Sequence, residues 1–325
     1  MKATAVAPSN IAFIKYWGKK DEVLRLPENG SISMNLSDLL TTTTVEFSSS
    51  YKEDSITING VQEANEGSRA VKHLDRIRKL AKITDKAKVV TTNNFPTGTG
   101  LSSSASGFAA LTVAGAKAAG LNLSEKELSI LARQGSGSAC RSIPDGFVEW
   151  LDGDTSETSY AVSLYAADYW DIVDVVAVVS KNKKEVSTTE GQKLVNSSPF
   201  FPVRLANIKG KIELMKKYLK EKNFSDFGEL LEAEALELHS IMLTSKPSLI
   251  YLLPGSLKIM HAVKKWRQEG LEVYFTVNTG QDIHLICRKK DAETVVKKLN
   301  EIEEVSKTII NNPSKGAHLS DKHLF

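Results

Sequence analysis

The sequence predicts an α/β (α+β) protein with two lobes' worth of chain, on three observations. Strand-like segments dominate the first sixty residues, helical and strand periodicities alternate from Ser68 onward, and 41% of the 325 residues are hydrophobic, enough for a sizeable core.

The elements follow in order. Lys2–Val6, Ile11–Ile14 and Thr41–Phe47, the last with four successive threonines, have the β-branched character of strands, and Ser55–Ile58 leads into an Asn59-Gly60 turn. Val71, Leu74, Ile77, Leu80 and Ala81 recur every three or four residues, so 68–83 reads as a helix, and Lys88–Thr92 as another strand. Leu101–Ala119 is rich in Ala, Ser and Gly, which predicts a slim helix stopping at Gly120. Ser124 and Glu127 form a capping-box pattern that starts a helix running to about Gln134, which delivers the chain into Gly135-Ser136-Gly137-Ser138. A strand at Ile172–Ser180 precedes the charged run 181–185, read as a solvated turn. Two amphipathic helices fill Val203 to about Met242 with a break near Asn223-Phe224-Ser225, and a third runs from Ser256 to Glu269. Strands Val273–Val277 and Ile283–Cys287 and a helix Ala292–Ile302 follow. No repeat or linker interrupts the chain, so the lobes are expected to share a cleft, divided as 1–185 and 186–325.

Composition excludes several classes. Lys and Arg total 42 against 39 Asp and Glu, a balance of +3, which argues against nucleic acid and requires any anionic partner to be held by a local site. Cys140 and Cys287 give neither a disulfide framework nor metal spacing, which fits a reducing compartment. The N-terminal residues lack a signal-peptide pattern and no run approaches about 20 apolar residues, so the expectation is a cytoplasmic protein without membrane contact. His239, His284 and Cys140 read as packing residues.

Three segments could carry chemistry. Asn93 to Ala105 holds Pro96-Thr97-Gly98-Thr99-Gly100-Leu101-Ser102-Ser103-Ser104 between a strand and the slim helix. Its glycines and the free N–H groups of a helix start suit a phosphate, although a Ser-rich helix cap is an equal reading of the residue types alone. No Lys follows Gly100, so this is not a Walker A loop. Gly135–Ser142 offers backbone, hydroxyls and the Arg141 guanidinium to a phosphate or carboxylate, or is a surface turn. In Lys15-Tyr16-Trp17-Gly18-Lys19-Lys20 the aromatic residues suit either ligand contact or core packing.

Together these segments resemble the GHMP superfamily of small-molecule kinases, and more closely its mevalonate diphosphate decarboxylase branch. Asn10-Ile11-Ala12-Phe13-Ile14-Lys15-Tyr16-Trp17-Gly18-Lys19 is similar to that family's N-terminal signature, Pro96 to Ala105 to its ATP loop, and Ser136 to Ser142 with Gly146 to Trp150 to a segment of the decarboxylases. Matches at Leu26–Ser33, Val186–Gly191, Ser197-Ser198-Pro199 and from His239 to Leu252 extend the likeness over nearly the whole chain; Gly30 stands where the family more often has Ser.

The resemblance implies a two-lobed fold with a ferredoxin-like C-terminal lobe, a homodimer, ATP and Mg²⁺ as cofactors, and phosphorylated mevalonate as substrate. It implies phosphorylation of the 3-hydroxyl of mevalonate 5-diphosphate, then loss of phosphate and CO₂ to give isopentenyl diphosphate. By position, Tyr16, Lys19, Ser136, Ser138 and Arg141 would hold the acceptor. Gly98, Thr99, Gly100, Leu101, Ser102, Ser103 and Ser104 would hold ATP, with Ser104 on the metal.

The family's Asp-Ala-Gly-Pro-Asn loop is here Asn278-Thr279-Gly280-Gln281-Asp282. One reading gives Asp282 the family's carboxylate role, with Lys19 and Asn278 beside it; another makes Asp282 a turn cap. Ile143-Pro144-Asp145-Gly146 also departs from the family spelling, which is expected to alter the wall beside Arg141 and raises mevalonate 5-phosphate as an alternative acceptor. A kinase that stops at the 3-phosphate and a non-catalytic ATP- or nucleic-acid-binding protein complete the alternatives.

Overall fold

The computed structural model describes residues 1–65, 68–180, 182 and 184–325. Its first sheet is eight-stranded, built on the long antiparallel pair Lys2–Ile14 and Ser31–Ser48. Lys86–Asn93 extends the sheet on one side and His318–Ser320 on the other, while Phe147–Trp150 pairs with the start of Ser31–Ser48. Where two strands were expected at 2–14 there is one, with register shifts at Pro8/Asn10 and Ala12/Ile14. Proline cannot donate to a ladder, so the irregularity falls where the pairing is already broken, and it bends the strand end that carries Lys15.

The threonine run supports the sheet from inside: Thr4 and Thr44 hydroxyls meet at 2.6 Å, and Thr43 and Thr91 at 2.9 Å. Against one face lies the helix Ser103–Ala118, whose Ala105, Ala109, Ala110 and Ala114 are fully buried. Small side chains bring its axis close to the strands, and with it the phosphate loop before Ser103.

The second sheet has four antiparallel strands in the spatial order Val273–Thr276, Ile283–Arg288, Ile172–Val178, Lys307–Asn311. Numbered along the chain the order is 2-3-1-4, with helices in the first and last connections, which is the ferredoxin-like arrangement expected of the C-terminal lobe. Because Ile172–Val178 already belongs to this sheet, the chain changes sheets upstream of residue 185. Strands Phe147–Trp150, Ala161–Tyr165, Lys307–Asn311 and His318–Ser320 were not anticipated.

Helices Phe201–Glu221 and Phe224–Thr244 join the lobes, since Ile208, Ile212, Phe227 and Leu231 pack in one cluster with Ile11 and Phe13 of the first sheet and Val176 and Ile286 of the second. Between these helices lies a fully buried ion pair. Arg204 donates to both oxygens of Glu234, at 3.2 and 3.0 Å. The same pair holds the peptide of Lys15: Glu234 Oε2 accepts the Lys15 N–H at 3.1 Å, and Arg204 donates to the Lys15 carbonyl at 2.8 Å. Burial pushes the Glu234 carboxyl up, but Arg204 and Lys211 outweigh it and hold it below its ordinary value.

Removing one partner of such a pair leaves a buried charge uncompensated, so Glu234→Ala is expected to lose about 3–5 kcal/mol of stability. Urea denaturation should show a lower midpoint with an unchanged slope. Because the Glu234 carboxyl is depressed in the folded state, its contribution is present above the ordinary carboxylate range and is lost as pH falls through it.

Candidate active site

A cavity of about 240 Å³ opens where the two lobes meet. The phosphate loop supplies Gly98, Gly100, Ser102, Ser103 and Ser104, the second Ser/Gly loop supplies Ser136, Gly137, Ser138 and Arg141, and the end of the first strand supplies Ala12, Lys15 and Tyr16. Asn278 and Thr279 close it from the C-terminal lobe. Lys15, Arg25, Arg69, Arg141 and Lys184 line it, and among the described residues that do so there is no Asp or Glu. Such a cavity is a field for anions.

Each side chain is held by its local structure. Arg141, buried in a short 3₁₀ segment, donates to Ser31 Oγ at 2.8 Å and Asn10 Oδ1 at 3.1 Å, while its Nε has no partner. Tyr16 donates to Gln192 Oε1 at 3.1 Å and lies edge-on to Trp150, and burial raises its phenol. Ser136 and Ser104 hydroxyls lie 3.4 Å apart, linking the two loops.

Lys15 is the most enclosed of the cations. Its Nζ donates to Ala12 O at 2.6 Å, Thr276 Oγ1 at 2.7 Å and Asn278 Oδ1 at 3.3 Å, so one amine ties the first strand to the C-terminal lobe. Burial brings its pKa down to about 7, the nearby Glu234 opposing the shift and Arg141 and Arg204 reinforcing it. Asn278 in turn donates from Nδ2 to Ser102 Oγ at 3.0 Å, and its carbonyl lies 2.9 Å from His239 Nε2, a histidine that burial holds neutral with a pKa lowered to about 4.

The lobes touch by backbone. Gly100, at φ +116°, faces Gly280, and a Cβ on Gly280 would stand 2.2 Å from Thr99 O and 2.3 Å from Gly100 Cα. Gln281 N donates to Thr99 O at 3.3 Å. Two glycines are thus what lets the Asn278–Asp282 loop lie on the phosphate loop.

The expected site residues divide accordingly. Tyr16, Gly98, Gly100, Ser102, Ser103, Ser104, Ser136, Ser138, Arg141 and Asn278 come together at the cavity. Thr99 lies beneath it, buried, and the Leu101 side chain joins the core while its carbonyl accepts from Ser9 Oγ at 2.6 Å.

Two expectations need correcting. Lys19 does not line the cavity: a strand pair with Leu26–Pro27 turns its ammonium to Glu22. Asp282 does not line it either, because its Oδ1 accepts from the Val179 N–H at 2.9 Å at the end of the neighbouring strand. It braces backbone rather than facing the cavity, and burial raises its carboxyl despite that hydrogen bond.

The Ile143–Gly146 departure also lies off the cavity. Asp145 accepts from Gly316 N at 2.7 Å and Pro144 O accepts from Asn35 Nδ2 at 2.7 Å, so the segment anchors the C-terminal strand instead. Trp17 is core. Cys140 is buried, its thiol pushed up to about 12 by burial.

Lys15, Arg25, Arg69 and Lys184 are cavity cations that sequence reading missed. Of the charged turn 181–185, residues 181 and 183 lie outside the described ones. Lys184 is half-buried in the cavity wall, donating to Thr188 Oγ1 and Thr279 O at 2.6 Å each, and burial lowers it to about 8. A second cavity of about 600 Å³ shares Arg69, Ser103 and Ser104 with the first and is lined by Ile56, Ile58, Val89 and Leu111. A chamber with one apolar wall, and with Glu63, Thr91 and Asn93 also in its lining, thus adjoins the anion-seeking one across the phosphate loop. Among the described residues no cluster of three His, Cys, Asp or Glu could hold a metal ion, and no helix is long and apolar enough to cross a membrane.

The fold and the paired loops define a two-lobed α/β protein of the GHMP-kinase type, with a cavity for anionic groups under a phosphate loop. Residues 7–161 match the model of the diphosphomevalonate decarboxylase-like N-terminal domain, and residues 174–322 that of the mevalonate 5-diphosphate decarboxylase C-terminal domain. The chain belongs to the diphosphomevalonate decarboxylase family. It is 39% identical to the diphosphomevalonate decarboxylase of Candida albicans over 86% of this chain and 82% of that one. The mevalonate diphosphate decarboxylase of Staphylococcus aureus superposes with a TM-score of 0.94 at 35% identity, over 98% of both chains. That of Enterococcus faecalis gives 0.91 at 37% identity over 99% of both.

Two substitutions test this geometry. Gly280→Ala should push the Asn278 loop off the phosphate loop and raise the KM for ATP about tenfold or more, since a backbone contact cannot yield as a flexible side chain can. Asp282→Asn keeps an acceptor for Val179 and is expected to retain most of kcat; a loss comparable with that of a chemical group would return Asp282 to the site.

Proposed function

We propose that the chain is an ATP-dependent diphosphomevalonate decarboxylase. It transfers the γ-phosphoryl group of ATP to the tertiary 3-hydroxyl of mevalonate 5-diphosphate, and departure of that phosphate with CO₂ leaves isopentenyl diphosphate. The observation that carries this reading is the cationic cavity formed by both lobes under the phosphate loop, without a carboxylate among its described lining residues, in a chain matched to the family over nearly its whole length. A neighbouring structure, MDDEF in complex with MVAPP, AMPPCP and magnesium, superposes at a TM-score of 0.93 with 38% identity and supports the same pair of substrates here.

The physical problem is to bring two polyanions together and place the transferred group in line. The apolar wall of the second chamber, at Ile56 and Val89, suits a purine, which sets the nucleotide's phosphates against Ser103 and Ser104 at the start of the helix. Arg141, Tyr16, Ser136 and Ser138 would receive the acceptor's phosphates and carboxylate, the Arg141 guanidinium supplying positive charge in the cavity wall. Lys184 and Arg69 stand between the two groups as counter-charges.

The hydroxyls of Ser103 and Ser104 are hard oxygen donors that suit Mg²⁺, and the rest of its shell would come from nucleotide phosphates and water. Bound there, with Ser104 as its protein donor, the ion would neutralise phosphate charge. A homodimer in a reducing cytoplasm completes the reading, supported by the family resemblance and by two separate, buried cysteines.

The diphosphate is favoured over mevalonate 5-phosphate because no residue of Ile143–Gly146, the one segment that suggested the smaller acceptor, lines the cavity. Purified protein with ATP, Mg²⁺ and each acceptor should release ADP and CO₂ in equal amounts, faster with the diphosphate. ADP without CO₂ would identify a kinase, and no turnover a binding protein. Arg141→Lys, which loses the planar fork, should raise the acceptor KM about tenfold or more and change kcat less.

A further inference from the structure

A tertiary hydroxyl attacking phosphorus must lose its proton, yet among the described residues no carboxylate lines this cavity. The family's acidic loop position is occupied by Asn278, and Asp282 is turned away to Val179. We propose that Lys15, as a neutral amine, accepts the proton of the acceptor's hydroxyl. This rests on the decarboxylase reading above.

The geometry suits an amine that changes charge. Ala12 O and Thr276 Oγ1, at 2.6 and 2.7 Å, accept the two N–H bonds of a neutral amine, which leaves its lone pair on the cavity side, where Asn278 stands at 3.3 Å. Asn278 Oδ1 accepts from the ammonium in the longest of the three contacts, and its Nδ2 is held by the Ser102 hydroxyl at 3.0 Å, so the proton pointing at Asn278 is the one least firmly bound. An aspartate there could only accept, and would fix the lysine as a cation. The charged neighbours pull both ways: Glu234 and Asp174 favour the ammonium, Arg141 and Arg204 oppose it, and His239 behind Asn278 is neutral. Burial decides, and leaves the amine titrating at about 7.

In the step itself the hydroxyl proton passes to the Lys15 Nζ lone pair. The hydroxyl oxygen bonds to the γ-phosphorus as the bond from that phosphorus to the β–γ bridging oxygen breaks, and ADP leaves with that electron pair. In the elimination the C3–O bond breaks toward the departing phosphate, and the pair of the C–C bond to the carboxylate becomes the new double bond as CO₂ leaves. The Lys15 ammonium then gives its proton to solvent.

The test combines ¹³C-lysine NMR titration of the full chain, with Lys15→Arg to assign the signal, and the pH profile of ADP release. The Lys15 signal should titrate near neutrality and ADP release should rise over the same interval. Lys15→Arg, a permanent cation, should lose about a hundredfold or more in rate, while calorimetry finds acceptor binding within a few fold; Lys15→Gln should behave alike in rate. Asn278→Asp should move the Lys15 titration to higher pH. A Lys15 signal that stays ammonium-like through pH 9, a profile without that limb, or a Lys15→Arg variant with near-normal rate overturns the proposal. Titration near neutrality in a protein that releases neither ADP nor CO₂ with any acceptor overturns the decarboxylase reading instead.

Discussion

The grip of the Arg204–Glu234 pair on the Lys15 peptide is the contact on which the rest of the site depends. Both side chains are fully buried, and between them they satisfy the N–H and the carbonyl of a residue that has just left the first sheet. A strand end is where a chain would otherwise fray, with backbone groups unpaired. Here it is held by charge from two helices of the other half. The Lys15 amine is thereby aimed at Thr276 and Asn278 of the C-terminal lobe, and Asn278 is aimed at Ser102 of the phosphate loop. The route from ion pair to nucleotide loop is a run of named hydrogen bonds.

That arrangement also fixes the electrostatics. Gathering Lys15, Arg69, Arg141 and Lys184 in a cavity with no carboxylate among its described lining residues raises the free energy of the charged forms, and lysine, unlike arginine, answers by giving up its proton. Lys15 and Lys184 are both brought down toward neutrality, to about 7 and about 8, by burial first of all. Incoming phosphates supply the negative charge that this cluster of cations lacks. The empty site is thus disposed to bind anions, and the cavity's chemistry depends on charge brought by its substrates.

Much of this was legible in the sequence. The helices at 69–81, 103–118 and 125–135 lie within a few residues of their expected limits because apolar spacing, small residues and a Ser124–Glu127 capping box are local signals. Arg141, Tyr16 and the two Ser/Gly loops were found by motif. Lys15 was not, because nothing local separates it from Lys19 four residues on; what does so is the bulged strand end and the Leu26–Pro27 pairing that turns Lys19 to Glu22. Asp282 was misassigned for the same kind of reason, since a spacing of four in a loop does not say that its carboxylate meets Val179 from a strand a hundred residues earlier. Lys184 looked like one of several solvated charges, and its burial comes from Thr188 and Thr279.

The claim that the buried ion pair both places Lys15 and biases its charge is tested most directly by the pH profile of ADP release in Glu234→Gln, which keeps the hydrogen-bonding shape and removes the negative charge. Glu234 favours the Lys15 ammonium, so its neutral replacement should let the amine lose its proton more easily and move the acidic limb of the profile to lower pH. A limb that stays in place, or moves to higher pH, would contradict the account.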